Sequence, residues 1–489
     1  MTPLLTIRKT ITASAIAAAI LHAAAAGAQQ APDTLASVVE QAILNHPEVQ
    51  ARYHDFQSAL EGQEIARGAY RPEVNVQGWV GREYRSGGTG PSDWNRTGYS
   101  LELRQLLFNG FRTRNNVEQY GFEKLAKYFD LQSTVDSTAT EAVLAYLDVQ
   151  RYRELGRLAQ ENYAMHNGIF DLINERSQSG VGRRVDADQA SGRLALAQSN
   201  WMVEAGNLLD VEERYRRITG QPPAAELAPA PDVSSRLPDS ATDFSDPVRS
   251  NPGFLSKQAL VRAAYAGNES AKGNFSPTLE LRASTGADRD YVDRQHHIQS
   301  SRIQLLLNYN LYRGNADQAR LRQTAAQMYA ARDVRNYTCR NIQQELAIAW
   351  NNIVRLREQI NFLRTHRDAT AKVRDGYRQQ FRIGQRSLMD LLNTEGELFD
   401  AQRSLVAGQY DLAAAQYKWL SLAHRILPAL QLADPQRENQ PDELDDLITE
   451  DVPLELCSTQ TADARRLAPE NVRLSTASGT PSTARPEIR

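Results

Sequence analysis

The sequence predicts a mainly α-helical protein that also carries a membrane β-barrel, and three observations predict it. A long internal repeat runs through the chain, each repeat holds a pair of amphipathic strands, and the helical stretches between them are longer than any globular core is deep. The chain has 489 residues with 41% hydrophobic and 24% charged side chains. Its 56 basic residues nearly balance 59 acidic ones, so no nucleic-acid footprint is present. A negative mean hydropathy excludes a polytopic helical membrane protein. Two cysteines, Cys339 and Cys457, are too few for a disulfide framework or a zinc ribbon, though they do not forbid an oxidising compartment.

Self-similarity organises the rest. Asn45-His46-Pro47 recurs as Ser250-Asn251-Pro252, and the Ala66 to Pro72 stretch recurs as Ala271 to Pro277, about 205 residues on. Leu107-Phe108-Asn109-Gly110 matches Leu311-Tyr312-Arg313-Gly314 at nearly the same offset, and Gly180 with Asp186 matches Gly384 with Asp390. Two tandem units are therefore expected, at 29–222 and 247–428. The link between them, 223–246, is rich in proline and reads as an extended segment on a surface. Residues 429–489 lose large apolar side chains and carry an acidic run from Asp442 to Asp451, the composition of a disordered tail.

At the N-terminus, Arg8 and Lys9 precede an apolar run that ends in Ala26-Gly27-Ala28, so residues 1–28 are expected to be a secretory signal. No cysteine follows that run, and no acyl anchor is expected there. Beyond Ala28 no stretch of about 18 apolar residues occurs, so any membrane insertion must use strands.

Each unit supplies such strands, over about 72–108 and 277–310. Val74, Val76, Val80 and Tyr84 alternate with Glu73, Asn75, Gln77 and Glu83, and Tyr99, Leu101 and Leu103 alternate with Ser100, Glu102 and Arg104. In the second unit Leu279, Leu281 and Ala283 oppose Glu280, Arg282 and Ser284, while Ile303, Leu305 and Leu307 oppose Arg302, Gln304 and Asn308. One apolar and one charged face over about ten residues is the pattern of a strand between lipid and water. Four strands cannot close, and an open edge is not tolerated in hydrocarbon, so several chains must share one barrel. Three copies giving twelve strands is the simplest count; two or four satisfy the same rule.

The helices then require height. Arg112 to Gln178 keeps helical spacing without proline and spans roughly 100 Å at 1.5 Å per residue. The pieces at 184–218 and 35–68 sum to a similar length, and 313–381 repeats the pattern against 386–427 plus 247–273. Heptad rows such as Leu391, Leu398, Leu405 and Trp419, or Ala187, Leu194, Trp201, Leu208 and Tyr215, pack helix on helix. A parallel row of Glu395, Gln402, Gln409 and Gln416 is expected to face water.

With the repeat, Leu107-Phe108-Asn109-Gly110-Phe111 and Gly384-Gln385-Arg386-Ser387-Leu388-Met389-Asp390-Leu391-Leu392 in view, the chain resembles the TolC-like outer-membrane efflux and secretion channels of Gram-negative bacteria over residues 35 to 428. The second motif is similar to the family's Gly-Thr-Arg-Thr-x-x-Asp-Val-Leu signature, with Gln385 and Ser387 as departures. The resemblance implies a homotrimer with a 12-stranded barrel in outer-membrane lipid and a periplasmic helical tunnel. It also implies a periplasmic adaptor protein and an inner-membrane ATP-driven exporter or other pump as partners. It makes Arg386 and Asp186 an entrance latch, sets Phe381 where the family can have a tyrosine, and lines the constriction with Asp390 and Asn393, the latter replacing a second carboxylate. Gly180, Gly182, Gly384, Gln385, Ser387 and Leu388 fall on the adaptor-docking tips. The run from Leu391 to Gln402 looks more like type I protein-secretion channels than drug-pump ducts.

Enzyme chemistry has no support: His-Glu-x-x-His, Cys-x-x-Cys, a P-loop and Gly-x-Ser-x-Gly are all missing. His296-His297 lacks companion ligands and reads as a turn between strands, so neither metal nor cofactor is expected. The competing functions are a multidrug, metal or small-molecule efflux duct and a structural stalk spanning the envelope.

Overall fold

The computed structural model describes residues 33–86, 92–238, 244–289, 297–435, 440, 441, 444 and 447. The expected signal segment, His296, Cys457 and most of the acidic run lie outside these residues. α1 (Leu35–Asn45) and α2 (Pro47–Gly68) lead into β1 (Glu73–Arg85) and β2 (Ser92–Phe108), followed by α3 (Arg112–Gln178) and α4 (Arg184–Thr219). The second unit repeats this order with α5 (Ser245–Ser250), α6 (Pro252–Lys272), β3 (Thr278–Arg289), β4 (His297–Asn308), α7 (Ala316–Arg382) and α8 (Leu388–Leu422). A short α9 (Ile426–Ala429) follows.

Two breaks interrupt lead-in stretches expected to be continuous. His46 and Asn251 are extended because each precedes a proline, and Pro47 and Pro252 then open α2 and α6, where a missing N–H costs nothing. Asn251 also caps α6, accepting the Phe254 N–H at 3.2 Å. α8 stops at Leu422 rather than near 427, because His424 takes a left-handed conformation with φ 54° and turns the chain into α9.

The four strands form one antiparallel sheet in the order β1-β2-β3-β4. Register aligns their apolar faces: Val74 pairs with Leu103, Leu103 with Ala283, and Ala283 with Ile303. On this face Val80 and Ile303 are 82% and 79% exposed in the single chain, far beyond what a water-facing sheet would present. The opposite face holds charge. Arg104 clamps Glu280, with Nε to Oε2 at 3.1 Å, and Arg96 clamps Asp288 through two bonds of 3.0 Å, while the Trp79 indole donates to the same carboxylate at 3.0 Å. These pairs tie the first hairpin to the second. Gly98 is required beneath the Trp79 ring, where a Cβ would lie 2.6 Å from a ring carbon. His297 opens β4 opposite Arg289, so it belongs to the strand and not to the turn the sequence suggests. β1 and β4 are the sheet edges among the described residues.

α3 and α7, 67 residues each, form the full height of a helical wall. Towards the strands α3 packs on α2 and α6, and α6 on α7; towards the far end α3 packs on α4 and α8, and α8 on α7. Two shorter helices laid end to end thus accompany each long one. No helix among the described residues is long and apolar enough to cross a membrane.

Between the two ends a core gathers both units: Val39, Val135, Tyr146, Leu346, Ile353 and Leu420 are fully buried. The described part of the proline-rich link, 223–238, holds no α-helix and one 3₁₀ turn, Ser234–Arg236, and it packs on this core through Val233 and Leu237, as does Phe244. Ala228 N–H donates to Asp33 carbonyl at 3.1 Å, and Tyr146 hydroxyl donates to that carbonyl at 2.9 Å. Of the residues described beyond Pro428, Leu430 and Leu447 are buried on this core; residues 448–489 lie outside the described residues. Cys339, in the same core, is disulfide-bonded.

Candidate functional site at the helical tips

The far end of the wall consists of two hairpin tips built on the same plan. After α3, Gly180 takes φ 77° and the Gly182 N–H donates back to Arg176 carbonyl at 2.7 Å; after α7, Gly384 takes φ 76° and the Gln385 N–H donates to Gln380 carbonyl at 2.8 Å. Both are helix ends closed by a left-handed residue, a conformation that glycine adopts without a Cβ penalty. The tips differ in how the returning helix starts. Ser387 caps α8, its hydroxyl oxygen accepting the Asp390 N–H at 3.2 Å, whereas Arg183 precedes α4 without a side-chain cap.

Arg386 and Asp390 come together within one tip. The Arg386 Nε donates to Gln380 at 3.1 Å, its guanidinium lies 3.6 Å from the Asp390 carboxylate, and it stacks 4.3 Å from the Tyr377 ring centroid. The Ser387 hydroxyl, donating at 2.9 Å, holds the Asp390 carboxyl below the usual carboxylate range, with Arg386 adding to the effect. Asp186, in the first turn of α4, has no ion-pair partner among the described residues of this chain. The tips are joined by a small apolar cluster of Ile173, Ala190, Leu388 and Leu392, with Ala187 and Phe381 against it. Leu388 is therefore buried inside the tip and shapes it from within instead of offering a contact surface. Gln385 and Gly384 are exposed.

Asn393 does not stand alone. Arg193 of α4 donates to its side-chain oxygen at 2.7 Å, across the gap between the two hairpins. Both residues border an open groove of about 380 Å³ together with His366, Glu397 and Asp400. Burial, and next the Arg193 guanidinium, hold His166 of α3 below the usual histidine range. A second link lies further up, where Arg403 of α8 meets Glu204 of α4 at 2.5 Å. Glu204 is 2% exposed, and its other oxygen accepts from Asn207 at 3.2 Å. Sequence reasoning missed Arg193, Glu204 and Arg403. A signal existed for one of them: Ala190, Ala197, Glu204, Val211 and Ile218 are the buried row of α4, so Glu204 is a carboxylate at a seam position.

The polar row expected to face water does not do so as a unit. Glu395 is buried, pushed up by burial against the pull of Arg374, whose Nη1 lies 3.4 Å away, and Gln416 is buried as well. A strict seven-residue row drifts about 20° per heptad around a straight helix, so it cannot hold one face over its length. Gln409 of that row is exposed and Gln402 half-buried, and the other exposed positions of α8 are Met389, Asn393, Glu397, Asp400, Ser404, Asp411 and Lys418. Among the described residues no group of His, Cys, Asp and Glu is arranged to hold a metal ion.

The sequence matches the family Outer membrane efflux protein over residues 38–221 and 247–419. It is 28% identical over 420 residues to the outer membrane efflux protein BepC of Brucella suis, covering 84% of this chain and 90% of that one. It is 24% identical over 393 residues to the alkaline protease secretion protein AprF of Pseudomonas aeruginosa, covering 76% and 81%. The fold superposes on the outer membrane channel CmeC of Campylobacter jejuni with a TM-score of 0.73 at 14% identity, over 80% of this chain and 86% of that one. Proteins of this family are conduits and not enzymes; they stand in the Gram-negative outer membrane, extend into the periplasm, and serve tripartite export systems. The two matched segments take up most of the repeat, and the chain accordingly belongs to the outer membrane efflux protein family as a TolC-like channel.

Proposed function

We propose that three copies of this chain close a 12-stranded barrel and a helical tunnel, and that the conduit serves type I protein secretion with a periplasmic adaptor and an inner-membrane ATP-driven exporter. The unpaired edges β1 and β4, on a sheet with one apolar and one charged face, carry the assembly. In hydrocarbon those edges need partners, and only another copy offers the complementary strand. The flanks point the same way: β1, α2 and α4 lie on one side of the chain, β4 and α7 on the other. Such a head-to-tail interface closes into a ring under rotation. Leu196, Met202 and Val203 of α4 and Tyr329, Tyr337 and Phe362 of α7 are exposed on those flanks in a single copy.

Gating belongs to the tips. With α7 and α4 on opposite flanks, Asp186 of one copy would approach Arg386 of the next, so the latch acts between copies, while Arg386 is presented by its own Gln380, Asp390 and Tyr377. Asp390 and Asn393 narrow the entrance, and the exposed Gly180, Gly182, Gly384, Gln385 and Ser387 offer the adaptor its docking points.

Protein cargo is favoured by the α8 run from Leu391 to Gln402 and by the likeness to a relative named for secretion of an alkaline protease. A small-molecule efflux duct is the second reading, favoured by the likeness to a relative named an efflux protein. Deleting the gene separates them: loss of one large protein from the medium supports secretion, and sensitivity to small toxic compounds with secretion intact supports efflux. Stepwise current from the purified protein in a planar bilayer supports a conduit; its absence, or a monomer in detergent by sedimentation, refutes the assembly.

A further inference from the structure

α4 belongs to the first hairpin and α8 to the second, and they touch sparingly, yet two side-chain links bridge them. Arg193 donates to Asn393 at 2.7 Å, and Arg403 meets the buried Glu204 at 2.5 Å. Along α4 the two anchors are 11 residues apart and along α8 they are 10 apart, which at 1.5 Å per residue sets both spacings at about 15–17 Å. Equal spacing makes the links two rungs of a ladder. The Glu204 carboxylate is buried with both oxygens engaged, while its partner Arg403 is partly exposed; the Arg193 rung borders the open groove with His366, Glu397 and Asp400.

We infer that Arg193 is a positioning residue of the entrance: with Asn393 it forms a reversible clasp that holds the second hairpin against the first, and the Glu204–Arg403 rung above it is the pivot. This rests on the gated-conduit reading of the tips. Two rungs set both the offset and the angle between α4 and α8; with the clasp open, the small apolar cluster of Ile173, Ala190, Leu388 and Leu392 is what still resists a swing about the other rung. From Arg403 down to the start of α8 at Leu388 is a lever of about 22 Å, so a swing of about 10° moves the tip by about 4 Å. A hydrogen bond between a guanidinium and a neutral amide suits a device that must open, because it lacks the paired charges that would make it hard to break. An aspartate at 393 would put a full ion pair on the same spot.

The test uses the full chain in planar bilayers and reads the fraction of time open at rest. Arg193→Ala and Asn393→Ala are each expected to raise it about tenfold, and the double variant no further, because either change removes the same rung. Asn393→Ala alters no charge, so it separates the clasp from an electrostatic effect of Arg193 on the permeating ions. Asn393→Asp is expected to lower the resting open fraction below that of the native protein. An effect of Arg193→Ala without one of Asn393→Ala, or additive effects in the double variant, overturns the clasp while the conduit stands. Native protein that gives no current at all overturns the conduit, and the clasp with it.

Discussion

His424 provides the sharpest test of what holds the core together. It is the residue that ends α8, with φ 54°, and its Nδ1 lies 2.6 Å from the carboxylate of Asp136 on α3. Asp136 is 5% exposed, and its second oxygen has no hydrogen-bond partner among the described residues. Replacing His424 by alanine strips from the other oxygen its only partner among the described residues and leaves a buried carboxyl unpaired. Breaking a buried pair costs about 3–5 kcal/mol, and the lower end applies because the carboxyl can take up a proton. Glycine at the same position loses the same contact but regains about 1 kcal/mol of left-handed backbone strain. Native-state hydrogen exchange of the amides from Ala423 to Leu432 reads this opening directly. Protection there is expected to fall on the order of a hundredfold in His424→Ala and several-fold less in His424→Gly, since 1.4 kcal/mol is a factor of ten.

The pH dependence has a definite sign. Burial works against a charged His424, but the hydrogen bond and charge of Asp136, with Asp434 adding to them, hold it above the usual histidine range; burial likewise pushes Asp136 up. A histidine shifted upward contributes stability that is complete below pH of about 6.5 and is lost as pH rises through its folded value. The raised Asp136 acts in the same direction, so local protection, corrected for intrinsic exchange, is expected to fall as pH rises. Gln132, which reaches Asp434 at 2.9 Å, does not titrate and leaves that sign unchanged. Equal protection in His424→Ala and native protein, or protection that grows with pH, refutes this account.

Ile303→Lys, on the apolar face of β4, is expected to cost about 2 kcal/mol or more and to reduce folded oligomer on semi-native gels, whereas Ser300→Lys on the other face is tolerated. Gly110→Ala is expected to destabilise far more than Gly314→Ala in thermal unfolding. Both have positive φ, worth about 1–2 kcal/mol, but a Cβ at Gly110 would lie 2.4 Å from Ser276 Cβ, whereas nothing lies within 4 Å of one at Gly314. Ser387→Ala is expected to cost about 1 kcal/mol through loss of the α8 cap and to raise the pH at which Asp390 titrates, measurable by carboxyl NMR of the labelled protein.

Elements that obey their own neighbours were legible in advance. α3 runs over Arg112–Gln178, the stretch whose spacing and lack of proline predict one helix, and the alternation around Val74 and Ile303 assigns their faces. The breaks at His46 and Asn251 were legible too, because each precedes a proline, yet a height summed over continuous helices passes through them. His424 carried no such mark. Glycine is the usual residue at a left-handed helix end, and a histidine there is tolerated because Asp136, far away in sequence, engages its ring. At the tips, Gly180 and Gly384 turn as their type suggests, while Leu388 lies inside and not on the surface.

By itself, the order of residues determined the repeat, the strand faces, the length of the wall and the chemistry missing from it. These depend on periods of two and 3.6, which the backbone imposes within a few residues. Only the tertiary structure decided that β2 pairs with β3, that Arg193 meets Asn393, and that the carboxylate in the seam of α4 belongs to Arg403. Such partnerships depend on the rotation and axial offset of one long element against another some 200 residues away, which no local period encodes.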